Sequence, residues 1–147
     1  MKSRSLSEVS IDRISDKGSR FDETDLLAVE EPLEIRLGFY ENGRRKHQAV
    51  SVTMRTPDHD FELAAGFLFT EAIIKSADQI EKIKHCAPKT SAGWENTVRV
   101  DLRDDADVDI SKLQRHFYTS SSCGVCGKSS IEAIQTGVSA LKSELVV

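Results

Sequence analysis

Positive charge, cysteine and long apolar runs are all in short supply in this chain, and each shortage closes off a class of function. The formal net charge is −4, whereas a protein that binds nucleic acid mainly through its phosphates carries a basic footprint, so no nucleic-acid partner is expected. The short run Arg44-Arg45-Lys46 reads as solvated loop charge. The longest mostly apolar segment, from Phe61 to Ile74, is too short to span a bilayer and contains Glu62 and Glu71, which predicts no membrane partner. No basic stretch followed by an apolar one opens the chain. Together with only three cysteines, this predicts a cytoplasmic protein in a reducing compartment. Internal repeats and low-complexity tracts are absent, and the length suits about one domain.

The shortage of cysteine is also a shortage of metal ligands. Cys123 and Cys126 form a single Cys-x-x-Cys pair, and the third thiol, Cys86, stands alone beside His85. A zinc ribbon needs a second pair, and a site of three cysteines with His85 or His116 has no supporting spacing. The zinc deaminase signature also fails, because no His-x-Glu precedes the pair and Ser122 occupies the place of its proline. A disulfide closing so short a loop gains little. The reading left in front is reactive thiol chemistry with no bound metal. A non-catalytic chaperone or a zinc-stabilised interaction module is the alternative.

What is there is a loop suited to that chemistry. Ser120-Ser121-Ser122-Cys123-Gly124-Val125-Cys126-Gly127-Lys128 carries two thiols among small residues, with Arg115 and His116 just upstream. A thiol reacts as the thiolate, and its pKa falls near cations, near a helix N-terminus or in a Cys-x-x-Cys pair. Ser129-x-x-Glu132 has capping-box spacing, and Ile131, Ile134, Val138, Leu141 and Leu145 follow at helical intervals, so a helix is expected to start three residues beyond Cys126. Arg115, His116 and Lys128 are supporting cations. Spacing alone does not separate the roles of Cys123 and Cys126.

Taken in order, residues 1–29 are polar with scattered single hydrophobics and read as a flexible tail. Leu33, Ile35, Leu37 and Phe39 then alternate with polar residues, Asn42-Gly43 supplies a turn, and Val50, Val52 and Met54 alternate beyond it, which predicts a hairpin. Thr56-Pro57 reads as a cap and first helical residue, opening a helix over 57–74 that is apolar nearly all round and buried against the sheet. His59 reads as a surface residue. A strand is expected within 77–86, a loop holding Trp94 over 88–96, and a further hairpin strand over 97–102. Asp104, Asp105, Asp107 and Asp109 read as a solvated turn, leading to a short helix over 109–117. The class is α+β, with helix packed on a mainly antiparallel sheet.

Arg115-x-Phe117 followed by Ser121-Ser122-Cys123-Gly124-Val125-Cys126-Gly127 resembles the signature loop of the formate dehydrogenase accessory sulfurtransferases, the FdhD/NarQ family. Glu30-Glu31-Pro32-Leu33-Glu34-Ile35 and Phe61-Glu62-Leu63-Ala64-Ala65-Gly66-Phe67-Leu68-Phe69-Thr70-Glu71 resemble two more of its stretches, in the same order. The resemblance runs from about Glu30 to the end. It implies a small N-terminal α/β domain over 30–116, followed over 117–147 by the cysteine loop and first helix of a cytidine-deaminase-like domain. Family members are considerably longer, so the chain is expected to correspond to a truncated N-terminal half. It implies a sulfur carrier that takes sulfur from a cysteine desulfurase and passes it to the molybdenum bis-guanylate cofactor of formate dehydrogenase. Cys123 would carry the persulfide, and Cys126 would assist release. The cofactor is the acceptor of the transfer and is not expected to bind this chain tightly, so no cofactor-binding residues are assigned. The apolar face of the final helix is expected to drive homodimer contacts.

Overall fold

The computed structural model describes residues 5–16, 18, 20–86 and 96–108. Two strands, β1 (Leu6–Ile14) and β2 (Arg20–Ala28), pair antiparallel as a separate two-stranded sheet. A four-stranded sheet follows, built from β3 (Glu31–Glu41), β4 (Arg44–Arg55), β5 (Ile80–His85) and β6 (Thr97–Leu102) in the order β4-β3-β6-β5. One helix, α1 (Asp60–Thr70), packs against it. The β3/β4 and β5/β6 pairs are antiparallel, and β3/β6 is parallel. The mainly antiparallel α+β architecture expected from the sequence is therefore present in the described residues. No described helix is long and apolar enough to cross a membrane.

The β3–β4 hairpin forms as its sequence predicts. Asn42 and Gly43 both have positive φ, 52° and 73°, the geometry of a tight two-residue turn whose twist matches that of the strands. Leu33, Ile35, Leu37 and Phe39 point to one face, where they pack with Val98, Val100 and Leu102 of β6 and with Ala64 and Leu68 of α1. The alternation on β4 is broken, however. A bulge opposite Ile35 and Arg36 inserts Val50 as an extra residue. Val50 joins the core, but Ser51 then pairs with Ile35, and Val52 falls opposite Glu34 on the other face. One unpaired residue is enough to reverse the phase of a strand.

Three expectations need correction. Residues 1–29, read from composition as a flexible tail, instead contain the β1–β2 hairpin. The helix is shorter than 57–74. Asp58 and His59 have φ of 108° and 55°, so the chain turns sharply after Pro57 and helical geometry starts only at Asp60. At the far end Ala72 adopts φ 54°, its N–H donating to the Phe69 carbonyl at 2.9 Å while Ile73 N–H donates to the Leu68 carbonyl at 2.9 Å. That paired closure is a Schellman motif, here with alanine where glycine is usual. It turns Ile73 and Ile74 into the core.

The third correction concerns burial. The helix is not buried all round: Ala64 and Leu68, four residues apart, form the inner stripe, while Phe61, Leu63 and Phe69 are exposed, Phe69 by 57%. His59 lies on the surface as expected. The strand expected within 77–86 is β5, entered through a 3-10 turn at Ala77–Gln79. Asp104, Asp105 and Asp107 are exposed, and Asp107 meets Lys75 Nζ at 3.0 Å.

Candidate functional site

Cys123 and Cys126 lie outside the described residues, as do Trp94, Arg115, His116, Lys128, the helix expected over 109–117 and the one expected after Ser129. So does the region assigned to a deaminase-like domain. The described residues hold the third thiol, Cys86, just past β5, partly buried with its N–H donating to the Thr97 carbonyl at 2.8 Å. Among the described residues, no three His, Cys, Asp or Glu side chains are grouped as a metal site.

Within the described domain, a cleft of about 400 Å³ opens where the N-terminus of α1 meets the ends of the strands. Its floor is an ion pair. Arg55, the last residue of β4, donates from Nε to Asp60 Oδ1 at 2.8 Å and from Nη2 to Asp60 Oδ2 at 3.1 Å. Both side chains are more than nine-tenths buried. Arg55 also reaches Asn96 Oδ1 at 3.0 Å and Glu31 at 3.4 Å. His85, closing β5, places Nε2 3.1 Å from Asp60 Oδ2, and its ring lies 4.9 Å from that of Phe61 at a tilt of 43°. The turn at Asp58 and His59 puts Asp60 here, at the positive end of the helix, where a carboxylate is favoured.

This arrangement fastens the helix to three strands. A two-pronged guanidinium–carboxylate pair fixes distance and orientation together, and the surrounding acceptors satisfy its remaining donors. A carboxylate bound to an imidazole nitrogen also fixes the ring of His85 at the rim of the cleft. Sequence reasoning missed the network because Glu31, Arg55, Asp60, His85 and Asn96 come from five separate segments. The one local signal was an arginine ending a strand five residues before an acid that opens a helix.

A second polar cluster occupies the opposite face of the sheet. Asp101 on β6 is only 1% exposed. Arg99 Nη2 donates to its Oδ2 at 3.1 Å, and Arg45 and Lys84 place nitrogens 3.7 Å from the same oxygen. Arg45 also pairs with Glu81 and lies over the Tyr40 ring at 4.9 Å. Arg36 Nε stands 3.2 Å from Glu34. His47 sits among these groups, its pKa held below the usual histidine value, first by partial withdrawal from water and then by Arg99. Asp101 opposes the shift, while Arg45 and Lys84 add to it.

The chain matches the model of the FdhD/NarQ family over residues 28–145. It is similar to proteins named sulfur carrier protein FdhD: 46% identical over 115 residues to that of Streptomyces avermitilis and 46% over 112 residues to that of Mycolicibacterium paratuberculosis. To that of Mycobacterium tuberculosis it is 43% identical over 116 residues. These matches cover 76%, 75% and 74% of this chain and 38% of each relative, so the chain spans well under half the length of the curated relatives it matches. No solved structure matches it. Since the family match takes in β3 to β6, α1 and the Cys123-Gly124-Val125-Cys126 segment, the chain belongs to the FdhD/NarQ family.

Proposed function

We propose that this chain is a sulfur carrier serving the maturation of formate dehydrogenase, with Cys123 as the sulfur-bearing thiol. The observation that carries this reading is the family match over residues 28–145, a span that includes the only Cys-x-x-Cys pair in the sequence, with relatives named as sulfur carriers. The Cys123 thiolate attacks the outer sulfur of a desulfurase persulfide. A new S–S bond forms on Cys123, the donor's S–S bond breaks, and the donor cysteine leaves as its thiolate. When the Cys126 thiolate attacks the inner sulfur, the outer sulfur departs as hydrosulfide toward the acceptor, and a Cys123–Cys126 disulfide remains. An external dithiol must reduce that disulfide before the next cycle. The molybdenum bis-guanylate cofactor is the acceptor substrate in this scheme, and the dehydrogenase is the destination of the sulfurated cofactor.

The domain built on β3 to β6 serves as the platform for this loop, and the family's remaining length supplies the surface that holds the acceptor. Incubation with a cysteine desulfurase and cysteine tests the carrier step. Mass spectrometry is expected to find a gain of about 32 Da, one sulfur atom, on the peptide containing Cys123, reversed by dithiothreitol because a persulfide exchanges with thiols. Cys123→Ala should not load, whereas Cys126→Ala should load and fail in release. Sulfur accumulating on Cys86 instead, or equally on Cys123→Ala, would refute the assignment.

A further inference from the structure

The cleft at the N-terminus of α1 is larger than fastening the helix requires. Arg55 and Asp60 make their contacts in its floor, yet about 400 Å³ stays open above them, within the range of about 300–1,000 Å³ usual for ligand pockets. Its lip is also strained. Asp58 and His59 hold φ of 108° and 55° in succession, and neither is glycine, the residue that accepts such angles freely. Backbone of this kind is costly and clusters at ligand clamps and active sites.

The lining selects a ligand by charge. Four carboxylates, Glu31, Asp58, Asp60 and Glu62, share the cleft with one permanent cation, Arg55, an excess of three negative charges. Asp60 is taken up by Arg55 and His85. The other three sit nearer water: Glu31 is half-buried, Asp58 and Glu62 are exposed, and Asp58 has no partner among the described residues. The positive end of the helix does not reverse this balance, because Asp60 already answers it. An anion is therefore disfavoured and a cation favoured. Phe61 and His85, their ring centroids 4.9 Å apart, line the same space. Carboxylates beside aromatic rings suit a planar, weakly hydrated guanidinium, which stacks on a ring face and donates within its own plane to more than one oxygen. A compact, strongly hydrated ammonium gains less from the same surroundings.

We propose that this cleft is a docking pocket for an arginine side chain presented by a partner protein, its guanidinium bound by the Glu31, Asp58 and Glu62 carboxylates and packed on Phe61. Free arginine would bring its own carboxylate into a negative lining, so a side chain within a peptide is the favoured source. The pocket uses neither Cys123 nor Cys126, so it goes beyond sulfur carriage and stands or falls separately from it.

Titration of the full chain with N-acetyl-arginine methylamide tests it, followed by the amide NMR signals of residues 58–62, 85 and 96. The probe is expected to shift those signals saturably, and free L-arginine to bind more weakly. The citrulline analogue keeps the shape and loses the charge, and it should bind at least about tenfold more weakly, the worth of one hydrogen bond to a charged group. The lysine analogue should fall between the two. Asp58→Asn/Glu62→Gln should weaken the arginine probe by a similar factor with circular dichroism unchanged, since both positions are exposed and asparagine tolerates positive φ. An arginine probe that shifts no signal saturably would overturn the proposal. So would equal binding of the citrulline analogue, an affinity indifferent to the double substitution, or a preference for free arginine, which would make this a small-molecule site.

Discussion

Gly38 on β3 and Asp101 on β6 are register partners, and the Asp101 carboxylate occupies the space that a side chain at 38 would need. A Cβ built on Gly38 would fall within the van der Waals envelope of Asp101 Oδ1 and lie 3.1 Å from His47 Nδ1 on the other flanking strand. The glycine is thus the hole into which the buried carboxylate fits. Gly38→Ala should destabilise the domain by about 1–3 kcal/mol, the usual cost of overpacking. The same substitution made on top of Asp101→Ala should cost clearly less. Urea denaturation of the four proteins in that cycle measures the coupling, and strict additivity would show that the two side chains do not compete for one volume.

The Arg55–Asp60 pair predicts an asymmetry between single and double replacements. Asp60→Ala leaves a buried guanidinium without its two-pronged partner and should cost about 3–5 kcal/mol, as should Arg55→Ala. Replacing both with apolar residues of similar size, Arg55→Met with Asp60→Leu, should cost less than either single change, because no buried charge is left uncompensated. Denaturant midpoints decide between this and a simple sum.

His47 gives the domain a dependence on pH of known sign. Its folded pKa is depressed relative to the ordinary 6.5, so the unfolded chain takes up the proton first. Stability is therefore full above about pH 6.5 and falls as the pH drops through the window between that value and the lower folded one. His47→Gln should flatten the pH–stability curve in that window and leave it unchanged above pH 7. Parallel curves for the two proteins would remove His47 as the cause.

Helix α1 should show one costly face and one tolerant face. Leu68 is fully buried against the sheet, and its replacement by alanine should cost about 2–5 kcal/mol. Phe69→Ala, at an exposed position next to it, should fall within about 0.5 kcal/mol of the wild type. Thermal or urea unfolding of both variants checks where the inner stripe lies.

Local sequence carried those parts of the fold whose causes are local. Asn42-Gly43 specified a turn, and the alternation from Leu33 to Phe39 specified a strand, because turn chemistry and a period of two are set within a few residues. The ends of α1 were not legible. Ala72 has no sequence mark of a left-handed residue, and Pro57 gave a false start that the turn at Asp58 and His59 overrides. The bulge at Val50 was hidden for the same reason, since an inserted residue preserves a hydrophobic pattern while reversing its face. The β1–β2 hairpin was missed because none of the side chains described on its strands is buried, so no core face marks it. The Cys123/Cys126 pair is contiguous and visible in the sequence, whereas the Asp60 network assembles from distant segments and leaves no motif.

The parallel pairing of β3 with β6 carries a consequence for how the chain is made. β4 ends at Arg55 and β6 begins at Thr97, with forty-one residues between them. At a synthesis rate of about 5–20 residues per second, those residues take about 2–8 s to add. During that interval the nascent β3–β4 hairpin presents one edge of an eleven-residue strand with no neighbour, flanked by Leu33, Ile35, Leu37 and Phe39. An edge of that length and hydrophobicity invites pairing with whatever strand arrives first. Ribosome-bound chains stalled between residues 56 and 96 are therefore the species in which this protein is most exposed to misassembly, and where a nascent-chain chaperone has the most to protect.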